Sequence, residues 1–290
     1  MSKLIKQAFT LIELLVVIAI IGILSGLIVV SIGGVTEKAN IAKSQVFSNS
    51  LRNSLMLNLV AEYKLDEGTG TTITDSWKGG TGTIPASPAT PTWKTGSDCI
   101  YDDCLSFDGG DYVTYNDPIL GATEATVCVW ANRQTWVANS AYVSDYVSAN
   151  KNFILGYEPT EGSLYFYVGN LTVADNLYFT GFTGGAWHYV CGSFVGSGEL
   201  AIYMDGVKKN YKTTTITAIG PTQSTYSSIG RYASTYYFNG LLDEIRFFTK
   251  AINSSQIKEQ YYSGLNSLLA KGGITKKEYQ ERMIKMAQLR

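Results

Sequence analysis

One long apolar run near the N-terminus constrains this chain more than any other feature. From Phe9 to Ile32 the residues are apolar apart from Thr10, Glu13, Ser25 and Ser31, and Lys3 and Lys6 stand just ahead. As a helix, Leu14 to Ile32 covers roughly 28 Å, close to the ~30 Å hydrocarbon core of a bilayer. The run therefore predicts a membrane span. The two lysines stay cytoplasmic by the positive-inside tendency, which sends everything after Ile32 outward. A secretory signal peptide is the alternative, but it needs small residues at a cleavage site after its apolar core. Here the chain continues through Gly33, Gly34, Val35 and Thr36 into a stretch where Ile41, Val46, Leu51, Leu55 and Leu59 recur among Lys38, Lys43, Asn49 and Arg52. That spacing is helical. It predicts one continuous helix from about Phe9 to Leu59, with Leu51, Leu55 and Leu59 facing a globular domain.

The segment Lys6-Gln7-Ala8-Phe9-Thr10-Leu11-Ile12-Glu13 resembles the type IV prepilin signal. The resemblance implies that a prepilin peptidase cuts between Ala8 and Phe9 and methylates the new N-terminus. It also implies that Glu13, fifth in the mature chain, pairs with the terminal amine of a neighbouring subunit. A carboxylate at the edge of a span costs up to ~3 kcal/mol unless partnered, which agrees with such a role. Two features depart from the family pattern. Ala8 stands where Gly is commoner, and the run lacks the mid-helix Pro of many pilins, although Gly22, Gly26, Gly33 and Gly34 weaken the helix in its place.

Beyond Glu62 the chain changes to short alternating or apolar runs separated by Gly, Asp, Asn and Thr. Charged residues are only 16%, against 29 Gly and 20 Tyr, a balance that suits strands and tight turns. A formal net charge of -1 supplies no positive field, so no nucleic-acid partner is expected. Strands are predicted at Tyr63–Leu65, Leu105–Phe107, Tyr112–Tyr115, Ala125–Ala131, Phe153–Tyr157, Ser163–Val168, Trp187–Phe194, Glu199–Met204, Tyr226–Ile229 and Leu241–Phe248, with Asp205-Gly206 as a tight turn. Their number and spacing suit a two-sheet jelly roll.

Four cysteines lie after the apolar run, on the oxidising side if it crosses a membrane, and none has zinc-ribbon spacing. Trp130 shares strand parity with Cys128, and Trp187 and Tyr189 share it with Cys191, so Cys128 and Cys191 could face each other. Two bridges, Cys99–Cys104 and Cys128–Cys191, are the expectation, with buried free thiols as the alternative.

In chain order, Tyr63-Lys64-Leu65-Asp66-Glu67-Gly68, Leu105-Ser106-Phe107-Asp108-Gly109, Thr126-Val127-Cys128-Val129-Trp130, Trp187-His188-Tyr189-Val190, Ile202-Tyr203-Met204-Asp205-Gly206 and Phe238-Asn239-Gly240-Leu241-Leu242-Asp243-Glu244-Ile245-Arg246 resemble the laminin-G-like, concanavalin-A-like lectins. The likeness spans roughly residues 59–252. It implies a sandwich that binds glycans, other proteins or calcium, without choosing among them. It also implies a structural calcium at Asp243, completed by backbone carbonyls near the first strand, with Asp66 and Asp75 in the segment that could add ligands.

Catalysis finds little footing. His188 is the sole histidine, mid-strand, with no Gly-flanked nucleophile turn. No Glu-x-Asp-x-Glu run exists, and the pairs Asp66/Glu67, Asp102/Asp103 and Asp243/Glu244 are adjacent, so in strands they would point to opposite faces. Gly79-Gly80-Thr81-Gly82 lacks the Lys-Ser/Thr of a phosphate loop and reads as a flexible turn, and Pro85, Pro88 and Pro91 mark an extended loop. Tyr232, Tyr236, Tyr237 and Trp136 are candidates for an aromatic platform for a glycan or partner.

At the C-terminus, Asn253 with Gln256 opens a helix carrying Ile257, Tyr261, Leu265 and Leu268, which Gly272-Gly273 stops. Thr275 and Glu278 open a second, striped by Tyr279, Met283 and Met286. This hairpin is expected to dock or to oligomerise.

The expected organisation is a leader over 1–8, a helix over 9–60, a sandwich over 61–252 and a helical hairpin over 253–290. The expected fold is mainly β, a concanavalin-A-like jelly-roll sandwich with a long N-terminal α-helix and C-terminal helices. The function it points to is a non-enzymatic pilin-like subunit of a filament or pseudopilus, held in the cytoplasmic membrane before assembly and displayed outside. Its partners would be the prepilin peptidase, sister subunits, membrane lipid and an extracellular glycan or protein, and no cofactor is required. A membrane-tethered lectin that never polymerises is the alternative, and a surface glycan hydrolase the third reading.

Overall fold

A computed structural model describes residues 11–22, 57–134, 140–146, 152–158, 162–170, 172–222, 224–225 and 227–288. The chain divides into two compact units, Met1–Arg52 and Asn53–Arg290.

In the first unit, residues 11–22 form a helix, α1, whose Leu11, Ile12, Leu14, Leu15, Ile18 and Ile21 are all more than half exposed. Glu13 lies in this helix, while Ala8, Phe9 and residues 23–56 fall outside the described residues. The described part of α1 is too short to cross a membrane.

The second unit is a sandwich of two antiparallel sheets, with strands numbered in chain order. Sheet 1 runs β14 (Val207–Thr213), β13 (Glu199–Met204), β12 (Trp187–Val195), β7 (Glu124–Arg133), β18 (Asn239–Phe248), β5 (Asp103–Asp108) and β4 (Thr92–Thr95), and β1 (Leu59–Tyr63) also pairs with β18. Sheet 2 runs β11 (Ala174–Thr180), β10 (Ser163–Gly169), β9 (Phe153–Glu158), β8 (Ser140–Asp145), β15 (Ser228–Ile229), β6 (Val113–Thr114), β3 (Thr81–Thr83) and β2 (Thr72–Thr74). A small hairpin joins β16 (Arg231–Tyr232) to β17 (Tyr236–Tyr237).

Period-2 alternation builds the core. Val127, Val129 and Ala131 of β7, Val190 and Phe194 of β12, and Leu164, Phe166 and Val168 of β10 all point between the sheets. The sheets approach so closely that a Cβ on Gly192 would sit 2.3 Å from the Phe166 ring, so only glycine fits there. Asp205 and Gly206, with φ of 54° and 77°, make the expected tight turn between β13 and β14.

Sheet 1 is buried on its outer face as well. Helices α2 (Ser254–Lys271) and α3 (Lys276–Gln288) lie there over a second apolar cluster that includes Cys128, Trp130, Tyr189, Cys191, Tyr261, Leu265 and Met286. Asn253 and Gln256 form a reciprocal capping box, and Gly272 closes α2 in the left-handed region at φ 75°. The hairpin docks on its own sandwich. Trp130 stacks on Tyr261 at 5.5 Å, the Tyr189 hydroxyl donates to Gln260 Oε1 at 2.9 Å, and Arg282 donates to the Trp187 carbonyl at 2.8 Å. Beneath it, Cys128 and Cys191 are register partners and are bonded to each other, with Cα atoms 4.1 Å apart. Cys99 is bonded to Cys104.

Three boundaries differ from the sequence reading. Leu59 opens strand β1 rather than ending a helical stripe, because it faces the apolar cluster under α2 and hydrogen-bonds into the ladder of β18. The first strand accordingly ends at Tyr63 instead of beginning there. Thr81 and Gly82, expected within a flexible turn over Gly79–Gly82, belong to strand β3, which is paired between β2 and β6, where Gly82 is held against Ile73 and the Thr114 carbonyl.

Candidate functional site

With the outer face of sheet 1 closed by helices, the outer face of sheet 2 is where the sandwich presents side chains. In β10 the inward set is Leu164, Phe166 and Val168, so Tyr165 and Tyr167 point the other way. Register sets Tyr165 opposite Tyr178 of β11 on one side and Gly156 of β9 on the other, and Tyr167 opposite Asn176 and Ile154. Gly156 keeps the floor flat. A Cβ there would lie 2.3 Å from the Ser140 carbonyl oxygen.

The β16–β17 hairpin adds its rings to this floor. Tyr232 stacks on Tyr236 at 4.4 Å with planes 13° apart, meets Tyr165 edge-on at 6.4 Å and Tyr146 at 5.9 Å. Tyr165 in turn lies 6.2 Å from Tyr178. The Arg231 guanidinium sits 3.2 Å above the Tyr112 ring, and Tyr237 is 6.4 Å from that ring. Tyr165 and Tyr232 are nearly buried and act as the base, whereas Tyr146, Tyr167, Tyr178 and Tyr236 are half-buried and offer ring faces or edges. Burial pushes the Tyr165 phenol well above its ordinary range, and burial does the same more mildly to Tyr167. Both stay neutral hydrogen-bonding groups at physiological pH.

Tyr232 and Tyr236 thus join one aromatic surface, while Tyr237, the register partner of Arg231, lies beside Tyr112 instead and Trp136 falls outside the described residues. The sequence reading missed Tyr146, Tyr165, Tyr167, Tyr178 and Arg231. The signal for two of them was present, since Tyr165-Phe166-Tyr167 places two tyrosines on one side of a strand and a core phenylalanine on the other.

The other candidates are accounted for differently. His188 Nδ1 is 2.7 Å from Asp205 Oδ2, and Asp205 also accepts from the Tyr189 amide at 3.1 Å, which ties the turn after β13 to β12. Asp243 is wholly buried on sheet 1. Its Oδ2 accepts from the amides of Ile100 at 2.8 Å and Tyr101 at 3.4 Å, and its Oδ1 has no hydrogen-bond partner. Burial, then the neighbouring Glu244, pushes its carboxyl well above the usual range. Among the described residues no three His, Cys, Asp or Glu side chains converge as a metal site. Arg246 donates to Glu62 Oε1 at 2.8 Å, which braces β1 against β18, and pairs with Glu244 within β18.

A helix-backed β-sandwich with one aromatic outer face, following an apolar N-terminal helix, defines a prepilin-type chain with a lectin-type domain. The chain belongs to the concanavalin A-like lectin/glucanases superfamily, whose sequence profile matches residues 107–258. The prokaryotic N-terminal methylation motif matches residues 5–29. No curated protein matches the chain. Among solved structures it is similar to domain 4 of AbnA, an extracellular arabinanase from Geobacillus stearothermophilus in complex with arabinotriose, at 18% identity and a TM-score of 0.57, covering 70% of this chain and 97% of that one. It is also similar to the binding domain of Paraclostridial Mosquitocidal Protein 1 (12% identity, TM-score 0.57, 73% and 53% covered). A third is the binding domain of botulinum neurotoxin serotype D (12% identity, TM-score 0.57, 74% and 53% covered). The chain spans about half of each toxin binding domain. At these identities the likeness concerns the fold.

Proposed function

We propose that the chain is a pilin-like subunit that displays a glycan-binding sandwich outside the cell. The observation that carries the reading is the asymmetry of the sandwich, one outer face closed by α2 and α3 and the other paved with tyrosines. Tyrosine rings bury area against the C–H faces of sugars at low entropy cost, and their hydroxyls hydrogen-bond at the edge. Of the outward positions in β9, β10 and β11, Glu158 alone carries a carboxylate, which favours binding over two-acid hydrolysis. The arabinanase domain was solved with arabinotriose, so that trisaccharide is the first ligand to test. Tyr167→Ala and Tyr236→Ala should each weaken binding by about tenfold in titration calorimetry, ~1.4 kcal/mol per ring. Unchanged affinity in both variants would remove the tyrosine face as the site.

For the N-terminal unit, cleavage between Ala8 and Phe9 and pairing of Glu13 with a sister subunit complete the reading. The methylation motif and the all-round apolar surface of α1 support it, since a helix greasy on every side needs lipid or other helices around it. Glu13→Gln should abolish filaments seen by electron microscopy. Filaments that persist would remove Glu13 from assembly, and an intact Met1 in the membrane fraction would leave a tethered lectin instead.

A structural calcium at Asp243 belongs to the same proposal. Oδ1 is a buried acceptor without a donor, and a cation there would complete its shell on backbone carbonyls. Calcium should then raise the unfolding midpoint of the protein but not of Asp243→Asn, and an equal response in both would dismiss the site.

A further inference from the structure

On the helix-covered sheet, one row of side chains escapes the hairpin. Register aligns Ser106 of β5, Leu241 of β18, Asn132 of β7 and Trp187 of β12 across four adjacent strands, all on the outer face. Where α2 turns into α3, the helices stop short of this row and leave a cleft of about 370 Å³, within the size range of small-ligand sites. Lys94, Ser97, Asp98, Gln134 and Gly273 complete its lining.

The walls are tied in place. The Trp187 indole donates to the Asp98 carbonyl at 2.9 Å, and Arg282 of α3 donates to the Trp187 carbonyl at 2.8 Å. The Cys99–Cys104 bridge fastens the loop bearing Ser97 and Asp98 to β5. Gly273 brings the hairpin turn so close that a Cβ would lie 2.7 Å from the Ser97 carbonyl oxygen. Such bracing makes the cleft preformed, which spares a ligand the cost of ordering it.

We propose that this cleft is a second ligand site, separate from the tyrosine face, and that it takes one or two rings of a neutral sugar. Its lining alternates donors with acceptors. The amides of Asn132 and Gln134 and the Lys94 ammonium give protons, the Asp98 carboxylate and amide oxygens accept them, and Ser97 and Ser106 do both. Vicinal hydroxyls, each donor and acceptor at once, match such a set, and Leu241 with the edge of Trp187 supplies an apolar floor for ring C–H groups. One cation stands against one anion, so nothing in the lining selects a charged ligand.

The test is saturation-transfer NMR on the full chain carrying Tyr167→Ala and Tyr236→Ala to disable the tyrosine face, in a sugar-free detergent, with the methyl glycosides of glucose, galactose, mannose, N-acetylglucosamine and arabinose at millimolar concentration. Transfer to at least one glycoside is expected, weakened about fivefold by Gln134→Ala or Asn132→Ala and abolished by Ser106→Trp, which fills the cleft. Gln134 and Lys94 are exposed, so Gln134→Ala and Lys94→Ala keep the test valid if the tryptophan variant does not fold. Transfer to none of the five, or transfer that survives these cleft substitutions, overturns the proposal. Transfer seen only while the tyrosines are intact would assign the signal to the tyrosine face and overturn it equally.

Discussion

Adding a single methyl group at Gly264 pits two opposed effects against each other. Gly264 lies inside α2, where glycine costs ~1 kcal/mol relative to alanine in a helix free of tertiary constraint. Propensity alone therefore predicts that Gly264→Ala stabilises by that amount. Packing predicts the reverse. A Cβ at Gly264 would lie 2.4 Å from Trp130 Cζ2 and 2.6 Å from Cε2, about an ångström inside ordinary carbon contact. The indole cannot step aside, because Trp130 is wholly buried, lies 5.3 Å from Tyr189 and 5.5 Å from Tyr261, and stands on a strand paired on both sides. Helix α2 must lift instead, and overpacking of this kind costs roughly 1–3 kcal/mol. The net expectation is a loss of about 1 kcal/mol for Gly264→Ala. For Gly264→Val, which adds bulk and branching, it is about 3 kcal/mol. Urea unfolding of the full chain, followed by tryptophan fluorescence, reads both. An alanine variant more stable than the parent would refute the packing of α2 on Trp130, and with it the claim that this face of the sandwich is closed.

Removing the Cys128–Cys191 bridge, which closes a separation of 63 residues, should cost about 4 kcal/mol in the loop-entropy account, against about 2 for Cys99–Cys104. Equal losses on mutating each pair to alanine would contradict that account. Asp117 is buried, and burial, then its hydrogen bond and proximity to Asp145, hold its carboxyl well above the usual range. A raised acid keeps its proton in the native state, so its stabilisation is fully present below the unfolded value of 3.8 and is lost as pH rises through the folded value. Asp117→Asn should flatten that decline in thermal unfolding scans, and an unaltered pH profile would exclude the assignment. Asn253→Ala, which breaks the capping box of α2, should lower stability by about 1 kcal/mol, and no change would mean that the hairpin holds without its cap.

Much of the sandwich was readable because its central strands bury both faces. Glu124–Arg133, Trp187–Val195 and Asn239–Phe248 are long apolar runs bounded by turn residues, and each was predicted within about two residues. One strand that escaped notice, Ser140–Asp145, is central and buried along its length but carries Ser140, Ser144 and Asp145 among its apolar residues, and most of the others lie at edges or are short. Val207–Thr213 is the exposed margin of sheet 1 and carries Lys208, Lys209, Asn210 and Lys212, while Thr72–Thr74 and Thr92–Thr95 are threonine-rich and span only a few residues. A strand paired on one side needs no hydrophobic alternation, so none was written into it.

The sequence by itself determined the apolar N-terminal segment, the class of the fold and the capped helical hairpin, because each rests on local spacing or on residue types with few physical uses, whereas the choice between bridged and free cysteines fell to strand register, which sets Cys128 opposite Cys191. Only the tertiary structure decided which face of the sandwich stays open. Tyr165 and Tyr167 point outward from sheet 2, while α2 and α3 pack on the outer face of sheet 1. Tyr232 and Tyr236 join them through a hairpin that crosses from a distant part of the chain. Likewise Ser106, Asn132, Trp187 and Leu241 share a cleft through strand register and the point where a helix turn ends. Those relations belong to pairs of elements far apart in sequence, and neither partner carries a mark of the other until the chain has folded.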